Sequence, residues 1–136
     1  MGNKIKLFID GPTLEEINFF KNKVDGFTFN PSLFKKLGAE DYLDFTKKIV
    51  GLTGNKPVSI EVIGDDEETC YNQALKINEI SEMISVKIPI IYTNGKSTIN
   101  LIKKLVENDI KLNITAIFTL DQIKHILPKI EKTKTI

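Results

Sequence analysis

The chain has 136 residues, 41% of them hydrophobic, with 19 Lys and Arg against 18 Asp and Glu for a formal net charge of +1. That length suits one domain, residues 1–136, with a real core. The interspersed charges leave no basic footprint for nucleic acid or an anionic membrane, and no apolar run approaches the roughly 20 residues of a membrane span. The single cysteine, Cys70, has no partner for an internal disulfide, which fits a reducing cytosol and a cytoplasmic location. Met1 to Asp10 is too short and too polar for a signal peptide.

Lys6 to Asp10 is the first strand candidate, and Gly11-Pro12 separates it from Thr13 and Glu16, which are spaced as a capping box. The helix they open carries Leu14 and Ile17 on one side and runs to about Asn22. Asp25 to Asn30 reads as a second strand. Pro31 then begins a helical region that breaks near Gly38, resumes from Asp41 to about Val50, and gives way to a turn-rich Gly51 to Lys56. Pro57 to Ile63 is a third strand, with Asp65 and Asp66 offering caps to a long helix through about Ile80. Ile84 to Ile91 is the fourth strand. The polar loop Thr93 to Ser97 leads into a helix with Ile99, Ile102, Leu105 and Val106 at helical spacing. Lys111 to Thr119 is the fifth strand, Leu120 to Ile130 the next helix, and Lys132 to Ile136 reads as the run into a sixth strand.

Strands alternating with helices imply parallel strands joined by right-handed crossovers, in a doubly wound sheet or a barrel. Parity separates the two. Leu7, Ile9, Phe27, Phe29, Val58, Ile60, Val62, Val86, Ile88, Leu112, Ile114, Ala116 and Phe118 make one apolar set. The opposite parity holds Asp10, Thr28, Asn30, Ser59, Glu61, Ser85, Lys87, Asn113 and Thr115. A doubly wound sheet is covered on both faces and tends to be apolar on both, whereas a barrel turns one face to its helices and the other inward. The expected fold is therefore an α/β barrel of the TIM type, here an incomplete one of about five βα units plus the start of a sixth strand.

Lys87 stands out, because a lysine on an isolated strand is ordinarily an edge or solvated residue. On the inner face of a barrel it becomes a buried amine among carboxylates, hydroxyls and amides. Burial disfavours an ammonium and frees a neutral amine to attack a carbonyl, while nearby carboxylates favour the ammonium. A protonated Schiff base formed in this way is an electron sink for breaking or making an adjacent C–C bond. Asp10 and Glu61 are candidates for the proton transfers, Thr115 for positioning a water, and Asn30 and Asn113 for hydrogen bonds to sugar hydroxyls. Structural readings stand beside these: Asp10 as a loop cap, Asn30 as a turn former, Glu61 as a structural partner of Lys87, Thr28 as a β-former. No His, Cys or carboxylate cluster has metal spacing, no phosphate loop or Gly-x-Gly-x-x-Gly occurs, and His125 stands alone on the last helix. No metal or organic cofactor is expected.

Phe8-Ile-Asp10, Gly26-Phe-Thr-Phe-Asn-Pro-Ser32, Ser59-Ile-Glu-Val62, Val86-Lys-Ile-Pro89 and Leu112-Asn-Ile-Thr-Ala-Ile-Phe-Thr119 together resemble the transaldolase family, which includes small transaldolases and fructose-6-phosphate aldolases. The blocks follow the family's order over essentially the whole chain. The resemblance implies a (β/α)₈ barrel and class I Schiff-base aldol chemistry on a ketose phosphate such as fructose 6-phosphate. It implies Lys87 as the Schiff-base lysine, Asp10 as acid/base at the reacting bond, and Glu61 and Thr115 as holders of a catalytic water. Asn30, Asn113 and Thr28 match the contacts to substrate hydroxyls and the Schiff base. Phe29 stands where the family usually has a second threonine, with outward parity. The family's sixth strand precedes a Gly-Arg segment that binds the substrate phosphate, and this sequence ends before it. The expectation is a truncated form that pairs with another copy or a partner to cover its open edges. The alternative to an enzyme is a non-catalytic half-barrel that binds sugar phosphate or serves oligomerisation.

Overall fold

The structure is a computed structural model and describes residues 5–130. Five parallel strands, β1 (Phe8–Asp10), β2 (Gly26–Phe29), β3 (Val58–Glu61), β4 (Ile84–Pro89) and β5 (Leu112–Thr115), pair in strict chain order. Between them run α1 (Leu14–Phe20), α2 (Pro31–Lys36), α3 (Tyr42–Leu52), α4 (Glu67–Asn78) and α5 (Ile99–Glu107), and α6 (Leu120–Ile130) follows β5. The order itself decides the architecture. Right-handed crossovers that all step in one direction lay every helix on the same face, whereas a doubly wound sheet reverses direction and covers both. The fold is an incomplete α/β barrel, open, with β1 and β5 as its edges among the described residues.

The apolar parity faces the helices. Phe27, Phe29, Ile60, Val86, Ile88 and Leu112 are buried against Ile17, Phe34, Ile49, Ala74, Ile77, Leu101 and Leu105. Phe34 of α2 lies 5.5 Å from the Phe29 ring, 4.6 Å from Tyr42 and 4.9 Å from Phe45, an aromatic cluster under the β2 end of the sheet. Phe29 therefore contributes packing, as its parity implied. The helix starts follow their caps. Thr13 and Glu16 form the reciprocal box, at 3.2 Å and 2.7 Å, and Asp41 and Asp66 accept from Asp44 N and Thr69 N.

Several boundaries differ from the sequence reading. β1 begins at Phe8, so Leu7 precedes the sheet and is 58% exposed. β5 stops at Thr115, because Ala116 takes a left-handed conformation with φ +57° that breaks the ladder, and Phe118 beyond it is 89% exposed. Leu7, Ala116 and Phe118, three members of the apolar set read from the sequence, therefore do not join the apolar face. Asp66 alone caps α4, α3 extends through Gly51 and Leu52, and Ile91 leaves β4 for an isolated antiparallel bridge with Ser97. The sixth-strand segment, 132–136, lies outside the described residues.

Gly26 marks the tightest approach in the sheet. A Cβ there would stand 2.3 Å from Phe8 Cε1 and 2.7 Å from the Pro57 carbonyl oxygen, and the carbonyl belongs to backbone that cannot rotate away. Gly26→Ala should destabilise the fold by about 1–3 kcal/mol, read as a lower urea midpoint with an unchanged slope.

Candidate active site

Parallel register arranges the polar parity into ranks on the concave face. Asp10, Thr28, Ser59 and Ser85 stand in register across β1 to β4; Glu61, Lys87 and Asn113 form the next rank toward the carboxyl ends; Thr115 follows opposite Pro89. The ranks climb diagonally from β1 to β5, as strand stagger in a barrel requires.

Lys87 lies in the middle of β4 and is 8% exposed. Its Nζ lies 3.3 Å from Glu61 Oε2 on the adjacent strand, so the ammonium and carboxylate stand opposed in a low-dielectric setting. Thr28 Oγ1 donates to Asp10 Oδ1 at 2.6 Å. Having committed its one proton to that carboxylate, the Thr28 hydroxyl has only lone pairs left for another partner. Asn113 Nδ2 donates to Ser59 Oγ at 3.1 Å.

The seven candidates are not all drawn into contact. Asn30 caps α2, its Oδ1 accepting from Leu33 N at 3.0 Å, which leaves its NH₂ group as the half available to a ligand. Glu61 and Thr115 lie on β3 and β5 with β4 between them and share no hydrogen bond. Asp10 is exposed, and Asn113 and Thr115 are half-buried on the open side of the sheet. A cavity of about 580 Å³ opens at the carboxyl ends of β2, β3 and β4, with Glu61, Asn30, Asp65, Cys70, Tyr92 and Thr93 in its wall. Of the seven, only Glu61 and Asn30 line it. The chemistry-bearing face and this cavity thus share Glu61 and Asn30 and do not coincide.

The pattern of residues 7–132 matches the family described as Transaldolase/Fructose-6-phosphate aldolase. The chain belongs to that family. This transaldolase-family chain is 37% identical over 120 residues to a probable transaldolase of Methanococcus maripaludis, covering 87% of the chain and 53% of the relative. It is 36% identical over 120 residues to a probable transaldolase of Ruegeria sp., covering 87% and 52%. The chain spans about half the length of the curated relatives it matches. Among solved structures it resembles N-acetylneuraminate lyase from Mycoplasma synoviae, with a TM-score of 0.64 at 17% identity over 99% of this chain and 55% of that one, a likeness of fold.

Several residues that brace this candidate site in the transaldolase-family chain escaped the sequence reading. The Tyr42 hydroxyl, on α3, donates to the main-chain oxygen of Glu61, and burial first and the Glu61 carboxylate second push its ionisation well above the usual tyrosine range. Nothing in the strand pattern points to a helical tyrosine. Gln73 Oε1 on α4 accepts from both Ile63 N and Gly64 N, at 2.8 and 2.9 Å, and so fixes the loop that follows β3. Burial raises the Cys70 thiol to about 11, and its Sγ donates to the Gly64 carbonyl, so the thiol serves as packing. His125 is an exposed helix residue, as read.

Asp65, expected as a cap, instead joins the loops after β3 and β4. It accepts from Thr93 N at 2.8 Å and from the Thr93 hydroxyl, and these bonds, the hydroxyl first, hold its carboxyl below the ordinary 3.8. A depressed folded value means that the clasp contributes fully above the unfolded carboxylate range and is lost as pH falls through the lowered folded value. Thr93→Val should return the Asp65 titration toward 3.8, followed by carboxyl ¹³C NMR, and leave the acid limb of the loop's stability shallower.

Proposed function

We propose that this chain carries out transaldolase-like aldol transfer or cleavage on a ketose phosphate such as fructose 6-phosphate, through a Schiff base on Lys87 and without a metal or organic cofactor. The observation that carries the reading is a lysine buried on the concave polar face of an α/β barrel sheet, paired at 3.3 Å with a carboxylate. Membership of the family supports it.

In this reading the Lys87 amine adds to the substrate ketone, and the carbinolamine loses water to give a protonated imine. Glu61, beside Nζ, is the nearest group to carry protons in that dehydration. Asp10 takes the proton of the hydroxyl beyond the scissile bond; that C–C bond breaks, an aldehyde leaves, and the bonding pair moves into the imine to form an enamine. Attack of the enamine on an acceptor aldehyde completes transfer. Protonation of the enamine carbon and hydrolysis by a water held between Glu61 and Thr115 complete cleavage, releasing a ketone such as dihydroxyacetone. Asn113 and Asn30 hold substrate hydroxyls, and the register partner Thr28 steadies Asp10.

The reading includes self-association in the cytoplasm. Exposed large apolar side chains gather at both edges of the sheet: Ile5, Leu7 and Phe8 beside β1, and Phe118, Leu120, Ile123 and Leu127 beyond β5. Unpaired strand edges flanked by such residues are an association surface. A second copy covering them should give a concentration-dependent dimer or larger species in analytical ultracentrifugation, and a monodisperse monomer would refute it.

A second reading is a non-catalytic half-barrel that binds sugar phosphate, favoured by the exposure of Asp10 on the open face. Borohydride separates the two. Incubation with fructose 6-phosphate or dihydroxyacetone followed by reduction should add the carbonyl compound covalently, seen by intact mass, and Lys87→Ala should abolish the adduct. Circular dichroism keeps the comparison to folded protein, and a folded wild type without adduct favours the binding module.

A further inference from the structure

The Ser59–Asn113 hydrogen bond joins strands that are not neighbours, because β4 lies between β3 and β5. Adjacent strands are about 4.8 Å apart, so in a flat sheet these two backbones would be roughly 10 Å apart with their side chains parallel and out of reach. Concave curvature tips the two side chains toward each other over β4. Ser59 is in register with Ser85, and Asn113 is in register with Lys87. The bond therefore crosses the inner face of β4 between the levels of Ser85 and Lys87.

The bond restrains the amide. Asn113 Nδ2 donates to Ser59 Oγ, which leaves Oδ1 and the second N–H for another partner. Without a fixed partner, an asparagine side chain exchanges among rotamers. Ser59 is 6% exposed, which shields the bond from water.

We propose that Ser59 is a positioning residue for Asn113: by accepting from Nδ2 it holds the amide over β4 beside Lys87, where the remaining N–H and Oδ1 meet a hydroxyl of the carbonyl compound held on Lys87. This rests on the Schiff-base reading above and extends it to a serine that has no contact role of its own there.

The test uses the full chain and dihydroxyacetone as probe. Ser59→Ala should shift and exchange-broaden the Asn113 side-chain NH₂ pair in ¹⁵N–¹H spectra. It should also raise the dihydroxyacetone concentration needed for half-maximal borohydride adduct by roughly tenfold, the effect of one buried hydrogen bond. Ser59→Thr, which keeps the acceptor oxygen, should restore both. In an Asn113→Ala background, Ser59→Ala should have no further effect on trapping, a non-additivity that a general loosening of the sheet would not produce. An unchanged Asn113 amide in Ser59→Ala overturns the proposal, as does a changed amide with unchanged trapping. Absence of any adduct in folded wild type overturns the Schiff-base reading and the positioning role with it, while the amide spectra still report whether the bond exists.

Discussion

Strictly sequential pairing of β1 through β5 is the constraint from which the rest of this molecule follows. Because every right-handed crossover steps the same way, the helices collect on one face and, among the described residues, the other is left without helical cover. Apolar side chains of one parity then bury against helices, and polar side chains of the other parity converge without any helix to exclude them. β4 bears the consequence most directly. It has a strand on each side, its Val86 and Ile88 are buried in the core, and its Lys87 is buried on the opposite face by neighbouring side chains.

A lysine so placed demands a partner, since an unpaired buried charge is far costlier than a paired one. Glu61 supplies it, and the neighbourhood of Glu61 is braced in turn. The Tyr42 hydroxyl holds the Glu61 main-chain oxygen, Gln73 ties the two amides at Ile63 and Gly64, and Asp65 clasps Thr93. The polar face is thus organised as close pairs, Asp10 with Thr28 and Asn113 with Ser59 by hydrogen bonds, and Glu61 with Lys87 by an ion pair. Pairing narrows what each group can offer a ligand: Thr28 keeps only acceptor capacity, and Asn113 offers its Oδ1 and one remaining N–H.

Much of the fold was legible from local pattern. The Thr13–Glu16 box and the Asp66 cap act over three residues, and the number of βα units and the inward placement of Lys87 follow from periods of 3.6 and 2. The misreadings fall where local pattern loses its hold. Leu7 and Phe118 continue the alternation of their strands, but the ladder ends before reaching them, and alternation without a paired strand buries nothing. Asp65 has the chemistry of a cap and sits beside one, yet the loop after β4 offers it two donors that α4 does not. Asn30 was read both as a turn residue and as a contact for sugar hydroxyls, and its Oδ1 is committed to the start of α2.

The sequence by itself determined which side chains share a face and which family the blocks resemble, because parity along a strand and the order of motifs are properties of the chain alone. Only the tertiary structure decided who meets whom. The register of parallel strands set Glu61 against Lys87 and Asp10 against Thr28, and the curvature of the sheet carried Asn113 over β4 to Ser59. Packing of α3 against the sheet brought Tyr42 to the Glu61 carbonyl. These contacts join residues 18 to 54 positions apart, and their geometry depends on strand stagger and bending, which no local period encodes.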